Sequence, residues 1–254
     1  MMKTNEWKNL WKLEEEKTFA GWDFSYIDGR SEFQAEPWDY KATVLSYIHS
    51  STTLLDMGTG GGEFLLSLSP PKGSTYATEA YLPNYELCKR TLPAHGIEVR
   101  RVIDDNELPY EDNFFDLVIN RHEAYSVEEV RRILKPNGIF VTQQVGGLNN
   151  KELSTFLLGK TPEIVDQKFD LASSSKELSK AGFTIMDSRE YFPRLKFFDV
   201  GALVYFAKII EWEFPDFTVE KHFDKLCLLQ AQVEQKGYVE SMEHRFFLIA
   251  RKCG

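Results

Sequence analysis

The sequence predicts an α/β protein: a doubly wound, mostly parallel sheet with helices on both faces. Three observations predict it. From about residue 41 onward, strand-length apolar segments alternate with helix-length ones, as in successive βαβ units. The strand segments are near-continuous apolar runs, as in Asp116–Asn120 (DLVIN), which suits strands buried on both faces. A length of 254 residues, with 43% hydrophobic and 27% charged side chains, supports a sizeable core and excludes a disordered, collagen-like or purely coiled-coil chain.

Residues 1–40 read as a helical and aromatic arm. Trp7, Leu10 and Trp11 recur at helical spacing and predict a helix over roughly residues 5–17. Gly21, Gly29 and Pro37 interrupt the stretch that follows, which carries Trp22, Phe24, Tyr26, Phe33, Trp38 and Tyr40. Most of these rings are expected to pack across a core, with Trp22, Arg30 and Trp38 facing a ligand as a lid.

Residues 41–254 are expected to form the main domain. Lys41–Ser50 reads as a helix, Thr52–Met57 as a buried strand, Gly58–Gly62 as a turn and Glu63–Leu68 as the next helix. Ser74–Thr78, Glu98–Ile103, Phe115–Asn120 and Ile139–Val145 read as further strands, with a helix near Asn84–Leu92. Ser126 and Glu129 have capping-box spacing, so a helix is predicted over Ser126–Lys135, stopped by Pro136 and Gly138. Ser174 and Glu177 predict a second capping box, with a helix over Ser174–Lys180. Phe183–Tyr191 and Arg245–Arg251 read as strands and Gly201–Ile210 as an apolar helix, whereas residues 211–240 carry no readable pattern and are taken as a less regular insertion.

The most informative stretch is Thr53–Glu63, TLLDMGTGGGE, a buried strand running into a glycine cluster that opens a helix. Glycine lets backbone approach a ligand closely, and in an open parallel sheet ligands bind beyond the carboxyl ends of the strands. A dinucleotide fingerprint starting at Gly58 would need glycine where Glu63 stands, and Glu63 would set a carboxylate against the phosphates. A nicotinamide dehydrogenase is therefore disfavoured. Asp56, two residues before the first glycine, suits a ligand with positive charge or hydrogen-bond donors. S-adenosylmethionine has an ammonium, a sulfonium and no phosphate. Glu79, at the end of the second strand, is placed to accept both ribose hydroxyls.

The segments LLDMGTGGGEF, TEAY, DDNELPYEDNFFDLVINRHE and EVRRILKPNGIFVTQQVG resemble, in order, the motifs of the class I S-adenosylmethionine-dependent methyltransferases, closest to the small-molecule branch. The resemblance covers about residues 40–147 well. It implies a Rossmann-like sheet of seven strands, the last one antiparallel. It also implies that Gly58, Thr59 and Gly60 lie under the methionine and ribose, that Glu79 holds the ribose, and that Ala80 flanks the adenine. Asp104 would accept from the adenine amino group, the backbone N–H of Asp105 would face a ring nitrogen, and the Asn120 carbonyl would lie near the ammonium. Asn137 departs from the usual glycine, a small change because asparagine tolerates the left-handed conformation.

Asn120–Tyr125 (NRHEAY) follows the fourth strand at the mouth of the expected site. His122 could take a proton, Glu123 could take one or orient His122, and Tyr125 could shape an acceptor pocket; the alternative is that His122 and Arg121 simply satisfy loop backbone. Of Gln143 and Gln144, which alternate across their strand, one is expected to reach the pocket, and Gln143 is taken as that residue. His122 and Glu123 lack a third ligand at a metal-binding spacing, so no metal is expected.

A net charge of −9 argues against a nucleic-acid partner, and Arg100, Arg101, Arg131, Arg132 and Lys135 form no stripe; Glu128 and Arg132 are spaced to pair on a solvated helix face. Cys88, Cys227 and Cys253 are scattered, no apolar run reaches membrane-spanning length, and the N-terminus does not read as a signal peptide, so a cytoplasmic protein is expected. The expected function is methyl transfer from S-adenosylmethionine, leaving S-adenosylhomocysteine, to a small-molecule acceptor. An RNA acceptor, or a module that binds the cofactor without catalysis, is the alternative.

Overall fold

The computed structural model describes residues 4–19, 24–163 and 166–254. Their elements run in the order α1 (Thr4–Glu15), β1 (Ser31–Phe33), α2 (Tyr40–Leu45), β2 (Leu54–Met57), α3 (Glu63–Ser67), β3 (Thr75–Glu79), α4 (Leu82–Thr91), β4 (Ile97–Arg101), β5 (Phe115–Arg121), α5 (Val127–Ile133) and β6 (Leu134–Val145). There follow α6 (Lys151–Leu158), α7 (Leu171–Lys180), β7 (Phe183–Tyr191), β8 (Arg194–Phe197), α8 (Val200–Ile209), α9 (Val219–Lys236), β9 (Val239–Met242) and β10 (Arg245–Lys252). No helix among the described residues is long and apolar enough to cross a membrane.

The chain divides into two compact units. One comprises residues 37–145, 169–190 and 246–254. It holds a seven-stranded sheet in the order β4-β3-β2-β5-β6-β10-β7, mostly parallel with the last strand antiparallel. Leu54 pairs with Thr75 on one side and Leu117 on the other, and Leu117 pairs with Ile139, so β2 is a central strand. All of β2 is buried, which explains the apolar Leu54, Leu55 and Met57 and makes Asp56 a buried carboxylate within the strand. Side chains of Tyr40, Leu54, Leu65, Ala77, Leu92, Leu117 and Val141 form one core cluster, and Leu55, Phe115, Val118, Val130, Phe140, Phe183 and Leu248 belong to another.

The other unit comprises residues 1–36, 146–168 and 191–245. Its sheet is antiparallel, β1-β8-β9, with Ser31 opposite Phe197 and Phe197 opposite Val239. Every residue of α8 from Val200 to Ala207 is buried, as befits a helix that is apolar all round. Around it pack Trp11, Ile27, Leu153, Phe214, Leu226 and Leu229.

Several local expectations change register. The α5 helix starts after Ser126, but the Ser126 side chain makes no cap bond, and Glu129 instead accepts from the Leu108 N–H at 2.8 Å and from Arg132 Nε at 2.7 Å. Arg132 thus pairs with Glu129 and not Glu128. The helix stops at Ile133, because Leu134 already turns extended (ψ 138°) to enter β6. The second capping box is Asp170 with Ser173, so the cap of α7 lies four residues ahead of the predicted one, and Ser174 is buried within the helix. Residues 211–240 are largely helical: Thr218 caps α9 through the Lys221 N–H at 3.2 Å, Gly237 ends it at φ +87°, and His222 interrupts it with non-helical angles. The Thr218 and Gly237 cap residues are the sequence signals that could have found this helix. Asn137 adopts φ +65°, the left-handed conformation expected of it.

Candidate functional site

The site residues gather at the carboxyl ends of β2, β3, β5 and β6, all within the seven-stranded unit. Beyond β2 the chain turns through Gly58 and Gly60 at φ +67° and +62°. The end of β3 clamps this turn, since the Thr59 N–H donates to the Thr78 carbonyl at 2.9 Å. A Cβ on Gly58 would lie 2.4 Å from Glu123 Cγ, whereas one on Gly60 would meet nothing within 4 Å. Gly58 is therefore needed for packing as well as conformation, and Gly60 leaves its outer face open.

Carboxylates ring this turn. Asp56 is buried, and its Oδ2 accepts from Thr59 Oγ1 at 2.7 Å. Burial pushes its carboxyl up to about 7, against the opposing effects of the Thr59 hydrogen bond and the Arg121 charge. Glu79 bridges two loops: Oε2 accepts from the Gly60 N–H at 2.7 Å and Oε1 from the Tyr81 N–H at 2.8 Å. Burial raises Glu79, and it raises Glu123 too, with repulsion from Asp105 and Glu79 adding to the effect. Asp105 is raised by burial and by Asp104, whereas Asp104 is lowered by its hydrogen bonds from Asn106. Glu63 folds back, its Oε1 lying 2.3 Å from where a Gly61 Cβ would stand. Carboxylates gathered in a largely buried crevice make a place where a cation is stabilised and a phosphate is repelled.

The floor of the site is a hydrogen-bonded layer across β5 and β6. Asn120 is fully buried; its Oδ1 accepts from Thr142 Oγ1 at 3.0 Å and from Gln144 Nε2, and its carbonyl accepts from the Tyr40 hydroxyl at 3.1 Å. Gln144 Nε2 also donates to the Glu123 carbonyl at 3.0 Å, so Gln144 ties the β5 exit loop to β6. Gln143 takes the other side. Its Oε1 accepts from Trp38 Nε1 at 2.8 Å, and its Nε2 lies 3.1 Å from His122 Nε2. His122 has φ +60° and donates its backbone N–H to the Gln143 carbonyl at 2.8 Å.

The structure thus brings Asp56, Gly58, Thr59, Gly60, Glu79 and Glu123 around one turn, with Asn120 beneath, and links Trp38, Gln143 and His122 in one chain. Ala80 follows Glu79 and is exposed, its carbonyl accepting from Arg101 Nε at 3.4 Å. Tyr125 is turned elsewhere: its ring packs edge-on against Phe140 at 5.0 Å in the core, and burial pushes its hydroxyl up to about 12. Arg30 belongs to the other unit, where Asp199 and Glu14 hold its guanidinium at 2.7 and 2.9 Å. Trp22 lies outside the described residues.

Sequence reasoning missed three contributors. Tyr40 and Gln144 fix Asn120, and Cys88 Sγ donates to the Gly60 carbonyl at 3.1 Å from α4. Alternation along β6 separated Gln143 from Gln144, but no local pattern links Cys88 to Gly60.

Residues 55–142 match the family described as Methyltransferase domain. No curated protein matches the chain. Solved structures do. A candidate methyltransferase from Bacillus halodurans is 16% identical, covers 85% of this chain and 99% of its own, and superposes with a TM-score of 0.60. A SAM-dependent methyltransferase from Methanosarcina mazei is 14% identical over 87% of this chain and 99% of its own, with a TM-score of 0.52. The [4+2]-cyclase SpnF is 17% identical over 87% of this chain and 88% of its own, with a TM-score of 0.53. At these identities the likeness is one of fold.

Proposed function

We propose that this chain, whose residues 55–142 carry a Rossmann-like methyltransferase domain, transfers a methyl group from S-adenosylmethionine to a small-molecule acceptor. One observation carries the reading: the glycine turn is ringed by Asp56, Glu79, Asp105 and Glu123, three of them in contact with or close to the turn, and burial raises the proton affinity of all four. Such a donor set fits a nucleoside bearing ammonium and sulfonium and disfavours a pyrophosphate.

In this reading Glu79 holds the ribose hydroxyls, using lone pairs that the Gly60 and Tyr81 N–H groups leave over. The open face of Gly60 admits close approach of the ligand, with Gly58 and Thr59 beside it. The Asn120 carbonyl, fixed by Tyr40, is available to the ammonium, and Ala80, Asp104 and Asp105 flank the adenine. When bound, the cofactor supplies an activated methyl group: the acceptor's lone pair forms the new bond as the carbon–sulfur pair returns to sulfur, leaving S-adenosylhomocysteine. The chain's task is then alignment and exclusion of water, worth up to roughly 7–11 kcal/mol of barrier. Trp38, Gln143, His122 and Glu123 border the place where an acceptor would align, and Tyr125 supports that loop from the core. A net charge of −9 disfavours an RNA acceptor.

Calorimetric titration with S-adenosylhomocysteine and with NADH tests the reading, followed by a labelled-methyl assay on fractionated small molecules. Binding of the first and not the second is expected. Binding of NADH alone would refute it.

A further inference from the structure

The chain from Trp38 through Gln143 to His122 has a consequence for proton placement that follows from donor and acceptor inventories alone. An indole N–H can only donate. Trp38 Nε1 lies 2.8 Å from the Gln143 amide, so the amide must turn its oxygen toward Trp38. The amide nitrogen then faces His122 Nε2 at 3.1 Å. An NH2 group can also only donate, so His122 Nε2 must be the acceptor, and the proton of the neutral ring sits on Nδ1. Protonating Nε2 would set two donors face to face. Rotating the amide to relieve this would set its NH2 against the indole N–H.

The chain is held by packing and by main-chain hydrogen bonding. The Trp38 ring is stacked on Phe247 with centroids 5.9 Å apart. The His122 backbone N–H donates to the Gln143 carbonyl at 2.8 Å, so the same two residues are joined at main chain and side chain. His122 also holds φ +60°, a conformation costly for a side-chain-bearing residue and more often seen at functional sites.

We propose that Trp38 and Gln143 are positioning residues that hold His122 in its Nδ1–H tautomer, with the Nε2 lone pair occupied, so that Nε2 takes no proton from a methyl acceptor. Applied to methyl transfer, this rests on the function proposed above; the tautomer itself does not. It narrows the chemistry: an acceptor atom that sheds a proton passes it to a group other than His122 Nε2, and a tertiary amine or a thiolate sheds none.

The test is the imidazole pattern of ¹⁵N-labelled protein in long-range ¹H–¹⁵N correlation spectra, recorded where the ring is neutral. Among the five histidines the His122 signals are those lost in His122→Asn, a substitution that tolerates the left-handed backbone. The expected pattern is Nδ1–H. Gln143→Glu presents a carboxylate, which can only accept, and should invert the pattern to Nε2–H. Trp38→Phe removes the donor that orients the amide and should give a mixture. An Nε2–H pattern in the native protein overturns the proposal, and so does an unchanged Nδ1–H pattern in a folded Gln143→Glu. Should Gln143→Glu not fold by circular dichroism, the native and Trp38→Phe spectra decide, an unchanged pattern in Trp38→Phe counting against it. Titration of the same samples with S-adenosylhomocysteine separates the two claims. Lost binding with an Nδ1–H pattern sinks the methyltransferase reading alone, and intact binding with an Nε2–H pattern sinks this one alone.

Discussion

Replacing Gly58 by alanine, with Gly60→Ala as its internal control, separates backbone strain from steric contact. Both glycines hold the left-handed conformation, at φ +67° and +62°. An alanine held there costs about 1–2 kcal/mol at either position. The surroundings differ. At Gly60 the added methyl meets nothing within 4 Å, so strain is the whole cost. At Gly58 the methyl comes 2.4 Å from Glu123 Cγ and 2.6 Å from Glu123 Cβ. A rotamer change moves the Cγ but not the Cβ, so the β5 exit loop itself must shift, and overpacking of this kind adds about 1–3 kcal/mol. That loop is tied down by the Gln144 bond to the Glu123 carbonyl. Urea unfolding followed by circular dichroism should therefore show a clearly lower midpoint for Gly58→Ala than for Gly60→Ala, with similar slopes. Equal losses would refute the claim that Glu123 packs against Gly58. The functional consequence runs the other way. Gly60→Ala fills the open face where a ligand would lie and should weaken S-adenosylhomocysteine binding despite its smaller effect on stability.

Asp56 predicts a pH signature. Its folded pKa is raised from 3.8 to about 7, so it favours the folded state when protonated, and that contribution is lost as pH rises from about 4 to about 7. Thermal scans across this range should show a flatter profile for Asp56→Asn than for the native chain, and a cationic ligand should bind native protein more tightly as pH rises through 7, with proton release seen by calorimetry in buffers of different ionisation heat. Glu79→Ala leaves the Gly60 and Tyr81 N–H groups without their acceptor and removes the proposed ribose contact, so S-adenosylhomocysteine affinity should fall about 10- to 100-fold by titration; an unchanged affinity would refute the ribose role of Glu79. Among the three thiols, exposed Cys253 should react first with a disulfide reagent and buried Cys88, pushed up to about 12 by burial and then by Glu79, last, as read by mass spectrometry of modified peptides.

Much of the seven-stranded unit is legible because its signals are local. A strand buried on both faces is rich in apolar side chains, as with Leu54, Leu55 and Met57 of β2 and Leu117–Ile119 of β5. A turn that passes close under a ligand needs glycine, and Gly58 and Gly60 adopt the positive φ that only glycine takes cheaply. The helix starts were less secure. Ser126 with Glu129 and Ser174 with Glu177 satisfy the capping-box spacing, yet Glu129 is drawn to Arg132 and the Leu108 N–H, and Asp170 with Ser173 caps α7. Spacing alone cannot rank competing partners, since each bond is worth only about 1 kcal/mol and a tertiary contact outbids it.

The sequence by itself determined the order of elements around the glycine turn, the placing of Asp56 and Glu79 at strand ends, and the acidic character of the crevice, because each follows from side-chain period, glycine geometry or charge within a few residues. Only the tertiary structure decided which of Gln143 and Gln144 faces His122, that Glu123 packs on Gly58 while Tyr125 turns into the core, and that Ser31–Phe33 pairs with Arg194–Phe197. Those outcomes join residues on different elements of the fold, and nothing local encodes them: a hydrogen bond from Trp38 to Gln143 exists only once the chain has brought the two together.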